Sequence, residues 1–165
     1  MLPEALIDAF TEKLRAAPDI EAWLGTDVLG DVRIYYAETK PPAEVIFADP
    51  KAVGTEATPM RYGAWRLVDE LPVEWLWGGA RTERYIVETM LADESDGKGT
   101  NLEAGYQLLR AIFEPPGDAK WSDMTITDGA ILWILRRSGQ GPEKERDEWF
   151  GATQWEIAVR YNAPA

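Results

Sequence analysis

The residues of this chain that could do chemistry are mainly carboxylates set near glycines. Asp93, Glu94 and Asp96 stand close to Gly97 and Gly99, and a hard cation takes oxygen ligands offered at alternate positions. The run does not complete a calcium loop, because no Glu follows a mid-loop Gly at the required place. Gly97-Lys-Gly-Thr100, just before a helical stretch, has a superficial likeness to a phosphate loop. The Walker order needs a Gly well upstream of Gly-Lys-Ser/Thr, whereas Lys98 lies between two glycines and the upstream Gly is missing. A solvated loop is the expectation here, with no metal and no nucleotide cofactor. Paired carboxylates could cleave a glycan, but nothing in the spacing of the 29 acidic residues selects a pair.

The chain contains no His and no Cys. That removes Ser-His triads, imidazole bases, thiolate nucleophiles, disulfides, Cys-ligated zinc and iron–sulfur clusters together. No catalytic residue is expected, and composition points away from an enzyme. The net charge of −12, from 29 acidic against 17 basic residues, opposes tight binding to a phosphate backbone, which needs clustered Lys and Arg. It fits solubility, a basic partner, or a surface to which DNA must not stick.

Aromatic content is more informative. Eight Trp in 165 residues is high usage of a side chain favoured both in cores and at interface hot spots. Most are expected in the core. The segment Leu71-Pro-Val-Glu-Trp-Leu-Trp77, however, is too short to build a core of its own. Trp65, Trp75 and Trp77 are therefore candidates for contact with another subunit.

The elements that must position these residues can be read in order. Leu2, Leu6, Phe10 and Leu14 recur at helical spacing over residues 3–16, with Pro3 suited to a first turn and Pro18 as a stop. A short helix is expected from Asp19 to Leu24, ending at Gly25. Val32 to Ala37 reads as a strand, and Val45 to Ala48 as a short extended run after Pro41-Pro42. Residues 49–80, rich in Pro and Gly, read as a long irregular insertion, and such loops are usually functional. Glu83 to Leu91 alternates as a strand. Thr100-Asn-Leu-Glu103 is a capping box opening a helix, with Leu102, Tyr106, Leu109 and Phe113 inward. Three strands close the chain: Met124–Thr127, Ala130–Arg137 after an Asp128-Gly129 turn, and Trp149–Asn162. Gly139 to Asp147 reads as a charged loop between the last two. The sum is one α+β domain over residues 1–165, a mainly antiparallel β-sheet with two helices packed on one face. No apolar run is long enough to span a bilayer. Met1 to Glu4 has no basic segment, so no secretory signal is expected.

The sequence of pieces carries a resemblance. The helix Leu6–Leu14 leads to Ala16-Ala-Pro-Asp-Ile-Glu-Ala-Trp-Leu-Gly25, then to Val32-Arg-Ile-Tyr-Tyr36, Pro41-Pro42 and Val45-Ile-Phe47. Tyr85–Leu91, the helix Leu102–Phe113 and the terminal Trp155-Glu-Ile-Ala-Val-Arg-Tyr161 follow. This order resembles the tail terminator (tail completion) proteins of long-tailed bacteriophages and gene transfer particles, across most of the chain outside residues 49–80. The resemblance implies a hexameric ring of copies of this chain at the head-proximal end of the tail tube, assembled in the host cytoplasm. Such a ring joins tail tube protein to the head connector or stopper, and DNA passes through its lumen without specific binding. Glu94 and Asp96 would then be lumen or rim charges. The alternative is an acidic adaptor or immunity-type protein that binds a basic partner.

Overall fold

The computed structural model describes residues 2–47, 61–93, 100–113, 125–127, 129–145 and 148–162. Helix α1, Glu4–Arg15, buries Leu6, Phe10 and Leu14 on one stripe, with Glu4 in its first turn and Lys13 and Arg15 in its last, as the helix dipole favours. Helix α2, Pro18–Leu24, starts on its proline, turns Ile20 and Leu24 inward and stops at Gly25. Gly25 has φ of 76°, a left-handed conformation that glycine adopts without a steric cost. Strand β1, Ile34–Tyr36, follows.

Residues Ala43–Ile46 form a single helical turn, α3, where an extended run was expected. Val45 and Ile46 both donate their N–H to the Pro42 carbonyl, and Phe47 donates to Ala43. The turn delivers Ile46 and Phe47 onto Tyr35 and Tyr62, forming a small second cluster, and this packing outweighs the β-propensity of Val-Ile-Phe.

The larger correction lies inside the expected irregular insertion. Residues Arg61–Glu70 are a ten-residue strand, β2, in which Gly63 is a packing glycine rather than loop punctuation. A Cβ at Gly63 would sit 2.9 Å from the Ile34 side chain, so the close approach of β1 requires its absence. Strand β3, Glu74–Trp75, and a short tight turn over Trp77–Gly79 complete this region. Then come β4, Arg81–Asp93, helix α4, Thr100–Phe113, and strands β5, Thr125–Ile126, β6, Gly129–Glu145, and β7, Glu148–Tyr161. Two expectations move here. Gly129 is already paired with Ile126 and Tyr161, so it opens the strand instead of sitting in the turn. Residues Gly139–Glu145, expected as loop, continue β6 against β7.

The seven strands form one sheet in the order β1-β2-β4-β7-β6-β5, with β3 pairing to β4 off that path. The β1–β2 pair is parallel and the other pairs are antiparallel. Helices α1, α2 and α4 cover one face, so the expected α+β arrangement holds with α2 as a third helical element.

The core is organised by a row of aromatic rings that crosses from the sheet to the helices and back. Tyr36 lies 4.7 Å from Trp65, Trp65 4.6 Å from Phe10, Phe10 5.1 Å from Phe113, and Phe113 5.0 Å from Trp155. The indole N–H groups of the two rings in this row each find a hydroxyl at 3.1 Å: Trp65 donates to Thr11 and Trp155 to Thr89. Satisfied donors let these rings contribute their full apolar burial. On α4, a Cβ at Gly105 would stand 2.8 Å from the Trp23 ring and 3.0 Å from Leu91. Gly105→Val is accordingly expected to cost about 2 kcal/mol, the usual range for an overpacked site. A fall in the urea midpoint with unchanged slope would show it.

Candidate assembly surface

The chemistry-bearing candidates of the sequence fall into different places. Trp65 is fully buried between Phe10 and Tyr36. It holds the core together and is withdrawn from the candidate interface, a correction that follows from its position in a central row of β2. Glu94 and Asp96 lie outside the described residues. Trp75 and Trp77 are 68% and 101% exposed.

Those two rings sit on an arm built by the ends of β2, β3 and β4. A bulge between Leu67 and Asp69 turns Val68 outward, 45% exposed. Leu71 then donates its N–H to the Arg84 carbonyl, and Leu76 donates to Ala80, so the arm is tied down by backbone. Gly78 and Gly79, at φ of 79° and 83°, make the reversal that other residues would resist. Glu83 anchors the arm's base. It accepts from the Tyr85 hydroxyl and from Arg81 Nε at 2.7 Å, while Arg81 lies over the Tyr161 ring at 4.7 Å. Burial raises the Glu83 carboxyl, but these two donors outweigh it and hold the group below its ordinary range. The result is an ordered support presenting Val73, Trp75, Leu76 and Trp77 to solvent. A contiguous exposed apolar group of this kind marks a contact site.

A second exposed apolar group lies on β6, where Leu132 and Leu135 are 38% and 51% exposed beside exposed Arg136 and Arg137. Sequence reasoning missed it. The available signal was Ile131-Leu-Trp-Ile-Leu135, apolar at every position in a strand whose alternate side chains cannot all face one core.

The sheet face away from the helices carries arginines matched by carboxylates. Arg66 pairs with Glu88 at 2.8 Å, and Arg84 lies 3.5 Å from Glu74 and 3.6 Å from Glu156, which also reaches Arg137 at 3.6 Å. The guanidinium groups of Arg66, Arg84 and Arg137 are thus compensated and offer little to a phosphate backbone.

Between α1 and residues 27–45 there is a cavity of about 420 Å³, bordered by Asp8, Glu12, Arg15, Asp27, Asp31 and Tyr35. Asp27 is buried and fully engaged, accepting from the backbone N–H groups of Leu29 and Asp31 and from the Tyr35 hydroxyl, each at 2.9 Å. Burial raises its pKa, but the three hydrogen bonds together overcome that and leave the carboxyl below its ordinary value. Its stabilising contribution is therefore complete above the unfolded pKa, near 4, and is lost as pH falls through the lower folded value. Asp27→Asn should cost about 1–2 kcal/mol at neutral pH and flatten the loss of stability seen below about pH 4. Chemical denaturation across that range checks both. Among the described residues no group of three or more His, Cys, Asp or Glu is placed to hold a metal ion, and no helix is long and apolar enough to cross a membrane.

No protein-family model matches the chain, and no curated protein matches it. Its α+β fold does have a solved counterpart. The chain is similar to one in the virion of a native gene transfer agent particle, with a TM-score of 0.56 over 94% of this chain and 95% of that one. The identity over that alignment is 19%, so the likeness is one of fold.

Proposed function

We propose that this chain is a structural virion protein of the tail terminator type. Copies of it form a hexameric ring that caps the head-proximal end of the tail tube and joins tube protein to the head connector or stopper. The observation that carries this reading is the likeness of fold, along nearly the whole chain, to a chain of a gene transfer agent virion. The physical chemistry agrees with it. A polypeptide without imidazole or thiol lacks the commonest catalytic reagents and is suited to a role of shape and contact, not to an enzyme's. The exposed Trp arm provides an anchor for a neighbour. Net charge of −12 and arginines compensated by carboxylates suit a channel in which DNA slides without specific binding. The protein then resides at the neck of the virion after assembly in the host cytoplasm.

Tube protein from the same particle, polymerised with and without this chain and imaged by negative-stain microscopy, tests the reading. Tubes are expected to stop growing and to carry extra density at one end when the chain is present. Tubes whose length and ends are unchanged by it would overturn the proposal. The carboxylates around the cavity beside α1 favour a second reading, an acidic adaptor or immunity-type protein with a basic partner. A complex captured one-to-one, and lost as salt rises, would select that alternative.

A further inference from the structure

The arm that carries Trp75 and Trp77 is longer than the ladder that holds it. Strand β3 pairs with β4 at only two positions, Glu74 with Thr82 and Trp75 with Arg81, and a two-stranded ribbon so short is marginal on its own. The tip stands clear of the body, since a Cβ at Gly78 would meet nothing within 4 Å. Its direction is therefore set at the base, by the side chains of the ladder.

Two ion pairs flank that ladder, one on each face of the sheet. On the face away from the helices, Glu74 lies 3.5 Å from Arg84 with 61% of its side chain exposed, an arrangement that contributes little. On the helix-covered face the contacts are closer and half-buried. Trp75, Arg81 and Tyr161 form one cross-strand row through β3, β4 and β7, so their side chains project to the same side. Arg81, in the middle, lies over the Tyr161 ring and donates through Nε to Glu83. The other carboxylate oxygen of Glu83 accepts from the Tyr85 hydroxyl, and Tyr85 and Tyr161 belong to the main core. Arg81 thus links an exposed ring on the arm to two buried rings beneath it. A guanidinium suits this link, because one flat group stacks on an aromatic face and donates from its edge at once.

We infer that Arg81 is the positioning residue of the contact arm: fastened by Glu83 and Tyr161, it holds the β3 ladder so that Trp75 and Trp77 meet a neighbouring copy already in place. This rests on the ring reading and adds the device that presents its anchor. A pre-set arm avoids the ordering cost that a loose one incurs on binding.

Arg81→Met keeps an apolar stem over Tyr161 and removes the guanidinium. Amide exchange followed by NMR on the isolated chain reads the arm directly. The N–H groups of Leu71 and Leu76, which bond to the Arg84 and Ala80 carbonyls, should lose protection. Those of Val87 and Ile157, in central strands, should keep the parent's rates, which also checks that the variant folds. Self-association measured by sedimentation equilibrium should weaken about tenfold, the scale of re-ordering one or two side chains. Arg81→Lys should fall between the two, since an ammonium keeps its charge toward Glu83 but does not stack as a plane. In a Trp75→Ala/Trp77→Ala background, Arg81→Met should cause no further loss of association, as befits a residue that acts through those rings. Unchanged protection or unchanged association in Arg81→Met, or a further loss once the tryptophans are gone, would overturn the positioning role and leave the ring standing. A parent chain that stays monomeric and leaves tubes unaltered would overturn the ring reading and this inference with it.

Discussion

Trp65→Ala is expected to remove about 4 kcal/mol of stability, within the range for truncating a buried aromatic. The reason is position. Trp65 touches Phe10 and Tyr36 and donates to Thr11, so it joins the α1 helix to the sheet. Alanine leaves a cavity where two rings met and removes the donor to the half-buried Thr11 hydroxyl. A domain of this size commonly has about 5–15 kcal/mol in total, so the variant should lose much of its folded population on mild warming. Circular dichroism melts and a urea titration measure it. A loss below about 1 kcal/mol would mean that the aromatic row does not organise the core.

The second large effect concerns the other two tryptophans and has the opposite signature. Replacing Trp75 and Trp77 together by alanine should leave the melting temperature within error of the parent, since both rings are exposed. Self-association and capping of tubes should fall about thirtyfold or more, the scale of an interface hot spot of about 2 kcal/mol. Sedimentation velocity and tube-length measurements on one preparation test both halves. A variant that destabilises the monomer would show that the arm belongs to the core. A variant that assembles normally would show that the arm is not an interface. The contrast between Trp65 and its neighbours on the same arm-forming segment separates packing from assembly with a single residue type.

Much of the fold was legible because periodicity is a direct record of burial. Leu6, Phe10 and Leu14 in α1, Leu102, Tyr106, Leu109 and Phe113 in α4, and Trp155, Ile157, Val159 and Tyr161 in β7 all lie inward at the spacing their elements require. The misreadings have equally physical causes. β2 was hidden by Gly63, which exists to admit Ile34, and by the bulge at Val68, which breaks alternation. β6 beyond Ser138 was hidden by its Gly, Pro and charges, residues poor in intrinsic strand preference, although five residues of that stretch pair with the first part of β7 between Glu148 and Thr153. The candidate site was half legible. Trp75 and Trp77 stood out by type, but type alone could not separate them from Trp65, because exposure is decided by tertiary position. Leu132 and Leu135 read as ordinary core residues by type, and only their exposure in the folded sheet sets them apart.

The central claim is that this chain acts as a repeated unit in a closed object at the end of a tail. Cryo-electron microscopy of the intact particle, with the neck region averaged, tests it most directly. The account predicts a single ring of six copies between connector and tube, each fitting this α+β fold. A neck without this fold, or a lone copy bound to some other basic protein, would contradict it.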